Sequence, residues 1–210
     1  MITTAEIIAS VEANEWLVGV VLEVVPSWAG LAPSEMLAML ATLEMHGVDS
    51  VVESGRHEGA STEALLMAGI RVHSVDIAPI PETDKRIGGL YRHGVRLYNG
   101  DGRALAPQLV RPRMDGLLVD GPKDQQALDM VARCDPRVAF VHDMHGGNPV
   151  RREMRGWWFS DDPEWVEYSR GVDGEYWVEV VNKGTAWKRG PFTSGAGSYG
   201  PTLAIMVRSQ

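Results

Sequence analysis

A glycine-rich turn between an apolar strand and a helix constrains this chain more than any other feature. Val51–Val52 are β-branched residues typical of a buried strand, Gly55 and Gly59 allow a tight turn, and Ser61 opens an apolar helical run. A helix N-terminus offers free N–H groups and a partial positive charge, so the turn predicts a ligand-binding loop. His57 replaces the second glycine of dinucleotide-binding loops, which disfavours a pyrophosphate ligand.

Strands and helices alternate after this loop. Apolar runs at 70–76, 95–98, 114–120 and 137–141 predict four further strands, with helical segments between them. The run that ends at Asp120 is almost continuously apolar, as expected of a strand buried on both faces of a parallel sheet. The sequence therefore predicts an α/β fold with a Rossmann-like, doubly wound sheet and helices on both faces.

We expect one domain, because 210 residues suit a single α/β core. Residues 48–148 would form the cofactor-binding core. Residues 1–47 predict two helices that could cover the cofactor pocket or form the interface of a homodimer. A helix from residue 2 to about residue 25 is expected first, followed by a second that begins at Pro33.

The C-terminal part, residues 149–210, combines an aromatic segment with two strand-like runs. Trp157 and Trp158 follow the fifth strand, so we expect them to face the acceptor pocket as part of a lid. The runs 176–181 and 202–207 predict a C-terminal hairpin.

Charge and cysteine content restrict the partners of this chain. It has 28 acidic and 20 basic residues and a formal net charge of −8, which argues against a nucleic-acid partner. The single cysteine, Cys134, excludes a disulfide framework, and the N-terminus lacks the pattern of a secretory signal. Its apolar runs are too short to cross a membrane. We expect a cytoplasmic protein that binds neither nucleic acid nor a membrane.

Acidic residues follow four of the predicted strands. They are Asp76, Asp101, Asp120 and Asp143. The carboxyl edge of an open parallel sheet is where ligands bind, and doubly wound folds place an acid at the end of the second strand to accept hydrogen bonds from a ribose. Turns favour single aspartates, but four in succession predict a functional edge.

With these residues assembled, the chain resembles the class I S-adenosylmethionine (SAM)-dependent methyltransferases. More narrowly, it is similar to the cation-dependent O-methyltransferases of the catechol and caffeoyl-CoA type over about residues 51–148. Glu53-x-Gly55-x-x-x-Gly59-x-Ser61 matches the cofactor loop of that group, and Asp120-x-x-Lys123-Asp124 matches its metal-and-base motif. The resemblance implies a seven-stranded sheet with an antiparallel last strand.

The resemblance also implies an activity, which is methyl transfer from SAM to a small-molecule hydroxyl. It implies cofactor contacts from Glu53, Gly55, Gly59, Ser61, Asp76, Asp101 and Asp120. It further implies that Asp120 and Asp143 hold Mg²⁺ or another divalent cation, with Lys123 beside it as general base. A hard cation takes carboxylate oxygens and lowers the pKa of a bound hydroxyl.

One position departs from the pattern of that family. The family has Asp-Asn at the end of the fifth strand, whereas Met144 follows Asp143 here, and a thioether is a poor ligand for Mg²⁺. Either Asn148, His142 or His145 completes the metal site, or the metal is lost and one of the histidines is the base. Two other activities stay open, a metal-dependent hydroxylase on the same fold and an NAD(P)-dependent oxidoreductase. A binding protein that retains the fold without catalysis also stays open, although Asp76, Asp120 and Lys123 argue against it.

Overall fold

A computed structural model describes residues 1–24, 31–144, 146–170, 172 and 202–208. Within these residues, seven strands form one mixed sheet with helices on both faces. The α/β fold expected from the sequence is therefore confirmed.

The sheet has the strand order β3-β2-β1-β4-β5-β7-β6. Strands β1 to β5 pair in parallel, and β7 lies antiparallel between β5 and β6, which confirms the antiparallel last strand. The strands are β1 (Ser50–Ser54), β2 (Arg71–Asp76), β3 (Val95–Asn99), β4 (Gly116–Val119), β5 (Val138–Val141), β6 (Trp158–Phe159) and β7 (Ala204–Val207).

The helices alternate with the parallel strands as the sequence predicts. They are α1 (Thr4–Ala13), α2 (Trp16–Val24), α3 (Pro33–Met45), α4 (Ala60–Met67), α5 (Pro81–Leu90), α6 (Gly102–Leu109), α7 (Asp124–Cys134) and α8 (163–170), with a 3₁₀ helix at Pro149–Glu153. The expected single helix before residue 25 is in fact two, because the backbone leaves helical geometry at Asn14. Across the described ranges, no helix combines the length and apolarity that a membrane span requires.

Two apolar layers cover the two faces of the sheet. On one face, α1 to α5 pack over the strands and share a core with Val51, Leu118 and Phe140. On the other face, α6 and α7 pack over Val52 and Leu117. Successive strand residues point to opposite faces, so the continuous apolar runs of the central strands supply both layers.

The tryptophan-rich segment supplies a short strand, and its expected role as a lid stays a prediction. Trp158 begins β6 and is buried, and its indole N–H donates a hydrogen bond to Oγ1 of Thr4 at 2.9 Å. Its ring also meets Trp165 edge-on. The prediction that Trp158 faces the acceptor pocket is therefore wrong, because the indole fills the core beneath α1. The strand expected at 176–181 lies outside the described residues.

Gly55 allows the glycine loop to touch the loop after β4. Its φ is +100°, and a Cβ there would lie 2.5 Å from the backbone nitrogen of Gly121. Gly47 also has a positive φ, +60°, but no heavy atom lies within 4 Å of its Cβ position. A side chain at either position would strain the backbone, but only a side chain at position 55 would also overlap with neighbouring atoms.

We expect Gly55→Ala to lower the free energy of unfolding by about 3 kcal/mol or more, because strain and overlap add. Gly47→Ala, the matched control, should lower it by only about 1–2 kcal/mol, the cost of the left-handed backbone. Urea unfolding of both variants measures the difference. Equal losses of unfolding free energy in the two variants would show that the glycine loop can move away from the loop after β4 without an energetic cost.

Candidate functional site

A groove of about 390 Å³ lies at the carboxyl edge of the sheet. It runs between the glycine loop, the end of β2, the start of α6 and the loop after β4. Four of the residues that the sequence assigns to the cofactor line it, namely Gly55, Asp76, Asp101 and Asp120. The topology brings them together because each follows a neighbouring parallel strand.

Asp76 anchors the glycine loop to the end of β2. Its Oδ2 accepts backbone N–H bonds from Arg56 and His57, both at 2.8 Å, and its Oδ1 accepts from Ala78 at 2.7 Å. Burial raises the pKa of Asp76, but these N–H donors outweigh it and the pKa is lowered. An ionised carboxylate therefore borders the groove with lone pairs left for a ligand.

Asp101 and its neighbours line the groove where α6 begins. Asp101 caps α6 by accepting the Arg103 N–H at 2.9 Å, and its carboxylate pairs with the Arg103 guanidinium at 2.6 Å. These bonds to Arg103 lower the pKa of Asp101. Ile77, which is 75% exposed, adds an apolar surface beside Asp76. Sequence reasoning missed Ile77 and Arg103, although their positions directly after the strand acids could have indicated them.

Three other residues of the expected cofactor set lie behind the loop and do not line the groove. Glu53 is fully buried and accepts hydrogen bonds from hydroxyls of α4 and β2, among them Ser61 at 2.6 Å and Ser74 at 2.5 Å. Burial raises the pKa of Glu53. Gly59 packs against Ile87 of α5. The structure therefore gives Glu53, Ser61 and Gly59 a part in holding the loop, and their contact with a cofactor stays a prediction.

Arg56 is a second support of the loop that the sequence did not reveal. Its guanidinium is buried beneath the loop, where Nε donates to Asp84 of α5 at 2.8 Å and Nη1 donates to the Ser74 carbonyl at 3.1 Å. A buried arginine needs such partners, and these tie the loop to α5 and β2.

Beside the groove, four charged side chains form a compact cluster. Lys123 Nζ lies 3.1 Å from Asp120 and 2.5 Å from Asp143. The His142 Nδ1 atom lies 2.8 Å from Asp120 and 3.5 Å from Asp143. The structure thus brings the predicted metal ligands and the predicted base together, with the ammonium group between the two carboxylates.

Glu35 extends this cluster into the core. It belongs to α3, is 2% exposed, and has Oε2 3.5 Å from Nε2 of His142. Burial raises the pKa of Glu35, but the hydrogen bond and charge of His142 outweigh it, so the pKa is lowered. Sequence reasoning missed Glu35, which lies on another helix far away in the chain.

The pairing sets the charge of each group in the cluster. Burial lowers the pKa of His142, but Asp120 and Glu35 outweigh it and raise that pKa to about 10. Burial also lowers the pKa of Lys123, and the neighbouring carboxylates again outweigh it and raise it. Burial raises the pKa of Asp120, but His142 and Lys123 outweigh burial, so the pKa is lowered. Among the described residues, three carboxylates (Asp120, Asp143 and Glu35) face two cationic groups, so one negative charge is unbalanced.

The cluster has a donor set that fits a divalent cation. Asp120, His142 and Asp143 each offer one ligand atom, and these atoms lie within 4.8 Å of one another. Two carboxylate oxygens and an imidazole nitrogen suit Mn²⁺ or another transition metal better than Mg²⁺, which prefers oxygen ligands alone. The side chain of Met144 is buried in the apolar core beneath α7, apart from this donor set.

Asn148 supports the loop after β5. Its Oδ1 accepts the Val150 N–H at 3.0 Å, and its Nδ2 donates to Asp124 at 2.9 Å. A ligand role would require the amide oxygen to give up its bond to Val150, so that role stays a prediction. His145 lies outside the described residues, and its catalytic role stays a prediction as well.

No protein-family model matches the sequence, and no curated protein matches it significantly. Solved structures do. The O-methyltransferase TomG of Streptomyces achromogenes, involved in tomaymycin synthesis and solved with SAM, gives a TM-score of 0.54 at 19% identity over 88% of this chain and 83% of its own. A Staphylococcus aureus protein described as a caffeoyl-CoA O-methyltransferase gives 0.49 at 15% identity, over 83% and 82%. A methyltransferase of Geobacter sulfurreducens gives 0.48 at 16%, over 60% and 70%.

The likeness to TomG shows that this chain has the fold of the class I methyltransferases. The seven strands, the antiparallel last strand and the groove at the carboxyl edge agree with that fold as the sequence predicted it. The two alternative functions, hydroxylase and oxidoreductase, gain no support from these comparisons.

The charge network predicts a pH dependence of stability in protein treated with a chelator. The folded pKa of His142 is raised from 6.5 to about 10, so the stability that the imidazolium contributes is complete below pH 6.5 and is lost as the pH rises towards 10. The difference in unfolding free energy between wild type and His142→Gln should therefore shrink over this range. Urea unfolding at pH 6 to 10 measures it.

His93→Gln is the control, because it removes an exposed histidine. Its difference from wild type should change little over the same pH range. A wild-type advantage over His142→Gln that is constant from pH 6 to 10 would contradict the ion pairing of His142.

Proposed function

We propose that this protein is a SAM-dependent methyltransferase that methylates an oxygen atom of a small molecule. The observation that carries the proposal is the double position of Asp120, which lines the groove and also belongs to the charge cluster. A methyl donor in the groove and a hydroxyl held at the cluster would therefore be neighbours. Positioning two reactants in this way is the larger part of what methyl transfer needs.

The groove has the polar and apolar groups that a nucleoside requires. Asp76 and Asp101 are ionised acceptors that line it, and Ile77 offers an apolar surface for a flat ring. TomG, which has the same fold, binds SAM in its crystal structure. These features support SAM as the cofactor, with Asp76 accepting the ribose hydroxyls and Asp101 beside the adenine.

SAM supplies a methyl group on a sulfonium, and the protein must hold the acceptor oxygen in line with it and remove its proton. Lys123, Asp120 and Asp143 lie where that oxygen would be held. In the charge state of the cluster alone, neither Lys123 nor His142 can accept a proton at neutral pH, since the pKa of each is raised. Either side chain could act as a base only if additional positive charge at this site lowered its pKa.

A divalent cation on Asp120, His142 and Asp143 would provide that charge. Binding would release the proton from the ligating nitrogen of His142, because a metal-bound imidazole is neutral. The cation would replace that lost positive charge, polarise the acceptor hydroxyl and offset the unbalanced negative charge. Lys123, displaced from between the carboxylates and close to a second positive charge, would have a lower pKa and could take the hydroxyl proton. We therefore assign Lys123 as the general base and Asp120, His142 and Asp143 as the cation ligands.

A small-molecule acceptor agrees with the charge of the chain and with TomG, which is involved in tomaymycin synthesis. The formal net charge of −8 disfavours a phosphate backbone. A hydroxyl that reaches the cluster beside the groove is the acceptor chemistry that this site supports.

We expect the protein to bind SAM and S-adenosylhomocysteine, and Asp76→Asn to weaken both. Loss of a charged acceptor costs about 1.5–3 kcal/mol, or about tenfold to a hundredfold in affinity. Calorimetry measures the change, and Asp129→Asn, on the exposed face of α7, is the control. The proposal fails if the wild type binds neither compound, and the role of Asp76 fails if its variant binds as tightly.

The role of Lys123 can be separated from its charge. Lys123→Arg keeps a cation between the carboxylates but cannot act as a base near neutral pH. If Lys123 is the general base, both Lys123→Arg and Lys123→Ala should lower turnover by about 10²–10⁴-fold with nearly unchanged SAM affinity. The assay is transfer of labelled methyl groups from SAM to a panel of phenols and other alcohols.

Lys85→Ala, which removes an exposed lysine of α5, is the control for this experiment. An active Lys123→Arg would reduce Lys123 to a counter-ion. The assay is repeated with EDTA and with added Mn²⁺ or Mg²⁺. Full activity after exhaustive chelation would contradict the cation site.

A further inference from the structure

A second cavity lies at the opposite, amino edge of the sheet. Its volume is about 490 Å³, and it is formed by the starts of β1, β2 and β3 and by the segment between α6 and β4. The side chains that give it its charge are Arg71, Arg92, Arg96, Arg111 and Asp115. We call it the amino-edge cleft. Nothing in the proposed methyl transfer uses it.

The cleft is basic in a chain whose net charge is −8. Four arginines and two histidines line it, against the single carboxylate of Asp115. The rest of the chain carries an excess of acidic residues, so the positive charge of this cleft arises from the clustering of these arginines. Basic clefts concentrate anions.

Two of the arginines are already neutralised. Arg111 makes a bidentate pair with the buried Asp115, with Nη2 2.5 Å and Nε 3.0 Å from its Oδ1. Arg71 pairs with Asp49 at 2.9 Å. These pairs hold the two guanidinium groups in place along one wall, so they add hydrogen-bond donors but little net charge.

The other two arginines carry unbalanced charge. Arg92 contacts the ring of His93, with its Nε 3.1 Å from Nε2, and neither Arg92 nor Arg96 pairs with a carboxylate anywhere in the described part of the chain. Both side chains are exposed. Two free guanidinium groups match one doubly charged anion, and their planar forks suit phosphate oxygens.

A histidine forms the inner part of the cleft. The sheet register sets His73 of β2 beside Arg96 of β3, and Nδ1 of His73 lies 3.1 Å from the hydroxyl of Tyr98, which is stacked against it. This contact fixes the ring and leaves Nε2 as the free polar atom of His73. Burial lowers the pKa of His73, and the positive charge of Arg96 lowers it further.

We propose that the amino-edge cleft binds a phosphorylated small molecule through Arg92 and Arg96, with its phosphate oxygens against the guanidinium groups. The volume suits a ligand of nucleotide size. The cationic groups surround a concavity and form no extended stripe, which favours a small phosphate compound over a polynucleotide. This cleft is separated from the cofactor groove by the length of β2, about 17 Å at roughly 3.3 Å per residue.

The test is calorimetric titration of the full chain at fixed ionic strength in chloride buffer. Inorganic pyrophosphate is the first probe and ADP is the second. We expect wild type to bind at least one of them, and Arg92→Gln and Arg96→Gln each to weaken binding by about tenfold to a hundredfold. Arg170→Gln, which removes an exposed arginine of α8, should bind like wild type. Melting curves check that each variant is folded.

The outcomes separate this site from the cofactor groove. ADP that binds in the groove would respond to Asp76→Asn and not to Arg92→Gln, and that result would overturn the proposal for ADP. Tighter binding of ADP supports a nucleotide, and tighter binding of pyrophosphate supports a free polyphosphate. No binding of either probe, or equal affinity in all variants, overturns the proposal, as does tighter binding of single-stranded RNA. SAM affinity should be unchanged in Arg96→Gln, so this test stands whatever the result for methyl transfer.

Discussion

The partly buried carboxylate of Asp120 is the constraint on which the carboxyl edge depends. A charge with so little solvent needs partners, and it has His142 on one side and Lys123 on another. Its backbone N–H also donates to the Ser54 carbonyl at 2.8 Å, where β1 passes into the glycine loop. One residue therefore joins the groove to the charge cluster, and the sheet fixes the spacing between the two.

The sequence was sufficient for the features that repeat along the chain. The alternation of apolar strands and helices predicted that the strands are parallel. A parallel sheet brings Asp76, Asp101, Asp120 and Asp143 to one edge regardless of the conformations of the loops that follow the strands. It was insufficient where a single contact decides. The two-residue strand at Trp158–Phe159 is too short to show a period of two, so its aromatic residues suggested a lid.

The same limit explains the supports that sequence reasoning missed. In the sequence, Arg56 resembles an exposed residue of a loop. Only the structure shows that α5 packs over that loop and that Asp84 of α5 pairs with the buried guanidinium group. Left-handed backbone at His57 and Asp143 was likewise unforeseen, with φ of +47° and +64°. Such residues cost about 1–3 kcal/mol each and persist where their surroundings hold them, here at the borders of the groove and the cluster.

Glu35 joins parts of the chain that are made at different times. Besides facing His142, its carboxylate accepts hydrogen bonds from Ala32 before α3, from Ser160 after β6 and from Leu203 before β7, the last at 2.8 Å. During synthesis the glycine loop and the strand acids emerge well before residue 203. All residues that line the groove are thus made before the carboxylate behind His142 gains its last donors, so the groove and the charge cluster are completed at different stages of synthesis.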